Sequence, residues 1–276
     1  MDQGSFLSHD GLALVSKSWH AADPKADIAF AHGFFEHCGR YANEASAFNA
    51  AGYHFHSYDQ RTHGLSEGKR RSYVTDFEDY LKDYRIFLDQ LNLGKERPYF
   101  LMAHSMGGLV TCSHLIDTSA PTEMLGVILS APLLQPDKDT APLLQKISGL
   151  VGTLMPALKV IAIDPHAVSR DPDKVKAYVD DPLNYTDKMY ATSGYHLLRQ
   201  MRKIESQLNK IKTPLLIMHG TDDKLAELQG SQLLYASAKS TDEEFVQLKN
   251  YKHEITKDVD HEVVLDTMIK WMDERM

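Results

Sequence analysis

Apolar residues recur along the chain in two rhythms. Continuous short runs, such as Ile28-Ala29-Phe30-Ala31, Tyr99-Phe100-Leu101-Met102 and Leu215-Leu216-Ile217-Met218, have the length and uniformity of strands buried on both faces. Between them the spacing turns helical: Phe77, Tyr80, Leu81, Tyr84, Phe87, Leu88 and Leu91 fall on one broad face of a helix over 76–91. The same reading predicts strands over 12–19, 28–33, 53–58, 127–131, 214–220 and 245–248. Helices are predicted over 41–51, closed by Gly52, from the turn at Ser105 to Asp117, and over 258–272. Alternating strands and amphipathic helices of this kind predict a mostly parallel central sheet with helices on both faces, an α/β fold.

The alternation breaks at Pro132. From there to Leu208 no strand is expected. The interval holds an apolar helical stripe (Leu143, Ile147, Leu150, Leu154, Leu158), then Pro165, Pro172 and Pro182, then a helix over 195–207. Residues 1–132 and 209–276 therefore read as one discontinuous α/β core, and 133–208 as a helical cap inserted into it. The stripe has two readings, plain packing on the core or the inner wall of a lid over a lipid-accepting tunnel. The insertion follows a strand end, where such a lid can roof a site.

One stretch carries chemistry on its face. In Met102-Ala103-His104-Ser105-Met106-Gly107-Gly108 a strand meets a helix in a turn of small residues with a serine at its apex. So sharp a turn pushes the apex side chain out at the sheet's edge and crowds its flanks, hence the Gly-x-Ser-x-Gly nucleophile elbow. A helix-capping serine is the bland alternative. Ala103 stands where that pattern has its first glycine, so the backbone there must avoid the region only glycine tolerates.

A serine hydroxyl needs a base, and the base needs a third group to fix its tautomer. In α/β-hydrolase order the acid and then the histidine follow the serine, each after a strand. His219-Gly220-Thr221-Asp222-Asp223 supplies the acid: Asp223 is preferred, Asp222 is its rival, and either could instead cap the next helix. Asn250-Tyr251-Lys252-His253-Glu254 supplies His253 between the last strand and the last helix. His261 falls inside the helical pattern. The oxyanion donors expected are the amides of Met106 and of Phe34, the latter in the loop that follows the strand ending at Gly33. No His-Glu-x-x-His or similar zinc spacing occurs, and no metal or cofactor is expected.

Charge and composition narrow the class. The formal net charge is −8 with both signs interspersed, so there is no basic stripe and no nucleic-acid partner is expected. Two cysteines, Cys38 and Cys112, make no disulfide framework. Cys38 lies four residues beyond Phe34. A thiol exposed at the pocket mouth would make the protein sensitive to bulky maleimides, although burial is the commoner fate of a free cysteine. The N-terminus has no leader-like apolar segment, and no window approaches the ~20 apolar residues of a membrane span. The expectation is a cytoplasmic protein that touches membrane surfaces or micelles transiently through its cap. Nothing in the chain bears on oligomeric state.

Taken together, several motifs resemble one family. His32-Gly33-x-x-Glu36-His37-x-x-Arg40-Tyr41, Asp59-x-Arg61-x-His63-Gly64-x-Ser66-x-Gly68, His104-Ser105-Met106-Gly107-Gly108, Asp181-Pro182-Leu183 and Gly220-x-x-Asp223 are similar to those of the monoacylglycerol lipases, with lysophospholipase-like members, of the α/β-hydrolase superfamily. The resemblance runs from about residue 8 to the C-terminus. It implies an α/β-hydrolase fold, a triad of Ser105, Asp223 and His253, and oxyanion donors at Phe34 and Met106. It also implies a polar pocket end at Glu36, Arg40, His104 and Tyr178, near a glycerol group. An ion pair bracing the loop is the equal alternative for Glu36 and Arg40. The expected reaction is ester hydrolysis of monoacylglycerols. Lysophospholipids or shorter acyl esters come second, and a non-catalytic ligand-binding module third. There are three departures from the family pattern: Ala103, Thr62 in place of a glycine, and the bulky Phe34-Phe35 pair, which should reshape the acyl end of the pocket.

Overall fold

The computed structural model describes residues 1–118, 120–136 and 149–276. Eight strands form one sheet in the order β1-β2-β4-β3-β5-β6-β9-β10. These are β1 Asp2–Leu7, β2 Ala13–Trp19, β3 Ala26–Ala31, β4 Tyr53–Tyr58, β5 Tyr99–His104, β6 Met124–Ser130, β9 Leu215–Gly220 and β10 Glu243–Leu248. From β4 onward every neighbouring pair is parallel, while β1 and β2 close one edge antiparallel. β5 is central, with Ala103 registered against Ala31 on one side and Leu129 on the other.

The two faces of the sheet carry two cores because successive strand residues point opposite ways. Leu101, Leu129 and Ile217 pack against α2 (Phe77–Gln90) and α3 (Met106–Asp117). Phe100, Met102, Ile128 and Met218 pack against α1 (Ala42–Ala50) and the last helix, α7 (His261–Asp273). Asp76 starts α2 as predicted for a helix of that pattern, its carboxylate accepting from the Glu78 amide at 3.1 Å. α6, Leu228–Ser237, covers the β9–β10 edge.

The expected α/β-hydrolase architecture is present, and the sequence reading needs correction in four places. β1 was not anticipated: as an edge strand it buries only Phe6, so its pattern carries no apolar alternation. The interval 133–208 is not strandless, because β7 (Lys159–Ile161) and β8 (Met189–Tyr190) pair antiparallel in a small second sheet. Both are too short and too exposed to leave a periodic signature. The last helix begins at His261 and not at 258. Residues 255–257 form a 3-10 turn first, and the buried Asp258 accepts from the amides of Lys252, Arg170 and Val259. Cys38 is fully buried, and burial beside Asp59 pushes its thiol pKa up, so it presents no thiol at a pocket mouth.

The insertion is also less separate than its sequence position suggests. α4 (Pro172–Asp180) sets Tyr178 on the wall of the same cavity as Ser105, and the helical residues 149–154 lie beside Tyr195. α5, Ala191–Glu205, instead drives Leu197, Met201 and Ile204 into the same core as α2 and α3. Of the apolar stripe, Leu143 and Ile147 lie outside the described residues. Leu150, Leu154 and Leu158 point to solvent, at 64%, 70% and 42% exposure, so they neither pack on the core nor line a tunnel.

The turn between β5 and α3 is closed by backbone proximity. A Cβ at Gly107 would lie 2.1 Å from the Ala31 carbonyl oxygen, and one at Gly108 2.6 Å from Pro132 Cβ. The Ala31 carbonyl belongs to a paired strand and cannot retreat. Gly107→Ala should therefore lower the unfolding free energy by about 3 kcal/mol or more, read as a fall in the urea midpoint. A variant of unchanged midpoint would mean that the strands give way more easily than the ladder implies.

Candidate active site

β5 ends at His104 and α3 begins at Met106, leaving Ser105 alone to make the turn. It does so at φ 53°, ψ −118°, a region L residues rarely adopt. Four hydrogen bonds hold it there: its amide donates to Ser130 O at 3.1 Å, and its carbonyl accepts from the amides of Gly108 and Leu133, each at 2.9 Å, and of Leu109 at 3.4 Å. Ala103, two residues before Ser105, stays in regular strand geometry. The methyl in place of hydrogen therefore meets no backbone penalty.

Around this serine the chain ends of β9 and β10 converge. His253 Nε2 lies 2.9 Å from Ser105 Oγ, and His253 Nδ1 lies 2.7 Å from Asp223 Oδ2. Asp223 Oδ1 accepts from the amides of Leu225 and Ala226 at 2.8 and 3.0 Å, which fixes the carboxylate's plane. With Nδ1–H donating to Asp223, the Nε2 lone pair faces the serine hydroxyl and can take its proton. Asp222 is exposed on the rim of the cavity, and His261, the first residue of its helix, bonds through Nδ1 to Asp258 O at 3.1 Å. Neither meets Ser105 or His253.

Electrostatics follow the geometry. Burial alone would raise the Asp223 pKa, but the charge of His253 and hydrogen bonds from His219 and His253 hold it well below the usual carboxylate range. Burial would lower His253, and the Asp223 carboxylate outweighs it, so its pKa rises above 6.5. His104 has no such partner. Burial and the neighbouring His253 ring, 4.6 Å away, push it down to about 3, so it is a neutral wall of the site.

The site opens into a cavity of about 510 Å³. Its apolar part is lined by α5 residues Leu197, Leu198 and Met201 with Ile163, Val168 and Leu225; its polar part by Glu36, His104, Tyr178 and Glu254. Phe34 lines the cavity beside Ser105. Phe35 does not reach it: at φ 68° it turns away and packs on Tyr185 of the insertion. Of the aromatic pair only one ring shapes the pocket. Thr62 adopts φ 65°, the conformation its glycine counterpart would take freely, with its hydroxyl on Tyr80.

Glu36, Arg40, His104 and Tyr178 do come together, but not as four equal liners. Arg40 takes the bracing alternative: it donates to Glu36 at 2.8 Å and, through two nitrogens, to both oxygens of Glu254 at 2.6 and 2.8 Å. The insertion is tied to the loop carrying Phe34 by His37 Nε2 against Asp181 at 2.8 Å and by the Tyr185 amide donating to Phe35 O at 2.9 Å.

Two residues escaped sequence reasoning. His219, read only as part of a strand-end motif, sets a second imidazole 3.1 Å from Asp223 Oδ2. Glu254 pairs with a residue more than two hundred positions away, which no local pattern reveals. Among the described residues one group, His9, Asp10 and Asp83, has metal-like proximity, but the Arg61 guanidinium already donates to both carboxylates.

Comparison with known proteins agrees with the fold. A family model described as serine aminopeptidase, S33, matches residues 22–260. The chain is 32% identical over 273 residues to a monoacylglycerol lipase of Mycolicibacterium smegmatis, covering 97% of this chain and 95% of that one. It is 30% identical over 272 residues to the monoglyceride lipase of Mus musculus, covering 95% and 89%. The crystal structure of Paleococcus ferrophilus monoacylglycerol lipase matches with a TM-score of 0.84 at 28% identity, over 95% of this chain and 99% of that chain.

The opposite shifts of the two neighbouring histidines are measurable. In heteronuclear NMR the His253 ring should titrate with a midpoint above 6.5, while His104 stays neutral down to about pH 3. A His253 midpoint below 6.5 would mean that desolvation outweighs the Asp223 contact.

Proposed function

This chain belongs to the monoacylglycerol lipase-like family of the α/β-hydrolase superfamily, and from that membership we propose that it hydrolyses the carboxylic ester of monoacylglycerols through an acyl-enzyme on Ser105. The observation that carries the reading is the unbroken hydrogen-bonded line Ser105–His253–Asp223 at the floor of a mostly apolar cavity.

In this reading His253 takes the Ser105 proton as the oxygen attacks the ester carbonyl, and Asp223 holds the imidazole and the cation it becomes. The amides of Phe34 and Met106 receive the negative charge on the carbonyl oxygen, a contribution of about 3 kcal/mol for each donor in comparable sites. His253 then hands its proton to the departing glycerol oxygen, and water, activated by the same base, releases the fatty acid. His253 must start neutral, so kcat/KM should fall in acid with a midpoint above 6.5, in step with its raised pKa.

The acyl chain belongs along Leu197, Leu198 and Met201, where each methylene gains at most about 0.8 kcal/mol. The diol belongs at the polar end with Glu36, His104 and Tyr178. A cavity of about 510 Å³ accommodates one chain and leaves no place for two more. Substrate arrives from an aggregated phase. Exposed Leu150, Leu154, Met155 and Leu158 form an apolar face that continues to Ile161 at the cavity rim, suited to rest on a lipid surface. No helix among the described residues is long and apolar enough to cross a membrane.

Three measurements test these statements. Ser105→Ala should lower kcat by about three to six powers of ten with an unchanged melting curve and lose labelling by a fluorophosphonate probe; persistent labelling at another serine would refute the assignment. Across a substrate panel, medium- and long-chain monoacylglycerols should be hydrolysed much faster than triacylglycerols and lysophosphatidylcholine. Equal rates, or a preference for acetate esters, would refute the substrate reading. Replacing Leu154 and Met155 with glutamine should weaken sedimentation with phosphatidylcholine vesicles without changing turnover of a water-soluble ester; unaltered sedimentation would put the lipid-facing surface elsewhere.

A further inference from the structure

The polar end of the cavity carries more acid than its base can balance. Glu36 and Glu254 both line it, and both are buried, at 2% and 4% exposure. The Arg40 guanidinium between them has its central carbon 4.8 Å from the Tyr178 ring centre and does not line the cavity, which meets the carboxylates and not the cation. Glu36 Oε1 is further occupied by the Gly33 amide at 2.6 Å and the Tyr41 hydroxyl at 2.8 Å. The atoms nearest a Cβ built on Gly33 are Glu36 Oε1, His104 Cδ2 and Ser105 Cβ, so this acid stands beside the nucleophile.

The surrounding charges leave that excess in place. Lys257 donates to Glu44 at 2.6 Å over the Tyr41 ring, a pair complete in itself. His104 is neutral. Elsewhere the cavity wall carries Lys224 and Lys252 with Asp164 and Asp222, two of each sign, and the Lys252 ammonium donates to His166 O and Ser169 O. Two carboxylates against one guanidinium leave one negative charge at the leaving-group end, in surroundings where charge is poorly screened. A carboxylate accepts hydrogen bonds and donates none.

We propose that Glu254 is a specificity-determining residue: together with Glu36 it makes the leaving-group end a negatively charged surface that admits neutral polyols and cationic alcohols and excludes alcohols bearing phosphate. The inference rests on the ester-hydrolase reading above and adds a charge rule to it. Specificity here comes from repulsion of the wrong group as much as attraction of the right one.

The test compares esters of one acid, lauric acid, with different alcohols. Wild-type kcat/KM for 1-lauroylglycerol should exceed that for 1-lauroylglycerol 3-phosphate at least a hundredfold. Glu254→Gln should narrow the ratio at least tenfold, mainly through a lower KM for the phosphate ester. If Glu254 only braces the His253 loop, both rates fall together and the ratio stays, which overturns the proposal. A second comparison needs no variant, should Glu254→Gln not fold. At low salt the wild-type protein should prefer lauroylcholine to its uncharged isostere, 3,3-dimethylbutyl laurate, at least tenfold, and added salt should shrink that preference. Equal rates on this pair overturn the proposal. Absence of 1-lauroylglycerol turnover with the choline preference intact would sink the monoacylglycerol reading and leave the charge rule standing.

Discussion

Everything at the site depends on how closely α3 approaches β3. The helix start passes within contact of the Ala31 carbonyl because Gly107 offers no side chain, and that approach forces the β5–α3 connection into one residue. Ser105 therefore sits at φ 53° not by its own preference but because the ladders on either side leave no alternative. Strain of this sort costs about 1–3 kcal/mol and survives only where the surroundings over-determine it. What it achieves is positional: the hydroxyl is presented at the sheet edge by two rigid elements, and the β9 and β10 chain ends need only supply their groups at that level.

The supporting polar shell is built from long-range pairs. Glu36 links the Gly33 amide, Tyr41 and Arg40, and Arg40 links Glu254, the residue next to His253. The loop expected to carry the oxyanion donor and the loop carrying the imidazole are thus braced by a single guanidinium. Each carboxylate is held ionised against its burial by that charge. Removing one partner of such a buried group leaves the others uncompensated, so the shell behaves as a unit.

How much of this could be read in advance follows from locality. The turn at Ser105, the acid loop at Asp223 and the loop at His253 each occupy a few adjacent residues after an apolar run, and order along the chain relates them. The central strands announced themselves because both faces are buried. β1 did not, since an edge strand in water needs little apolar alternation, and β7 and β8, of three and two residues, are too short to repeat a pattern. The Leu150–Leu154–Leu158 stripe was misassigned for a different reason: periodicity reports which side of a helix is apolar, not what that side faces. Glu254 and His219 were invisible as site residues because their partners lie elsewhere in the chain.

The role of α5 bears on how proteins of this shape can change. Its residues Leu197 and Met201 belong to the core and line the cavity, Ile204 belongs to the core, and Leu198 and Gly194 line the cavity, so one helix is both a wall of the pocket and a buttress of the sheet. The insertion is consequently not a module that can be exchanged whole. Variation that leaves α5 in place and rewrites the exposed apolar positions between 150 and 161 can alter the entrance and the lipid-facing surface at little cost to folding. Variation on α5 must satisfy two packing problems at once, and the depth of the acyl pocket is thereby the slowest of its properties to drift.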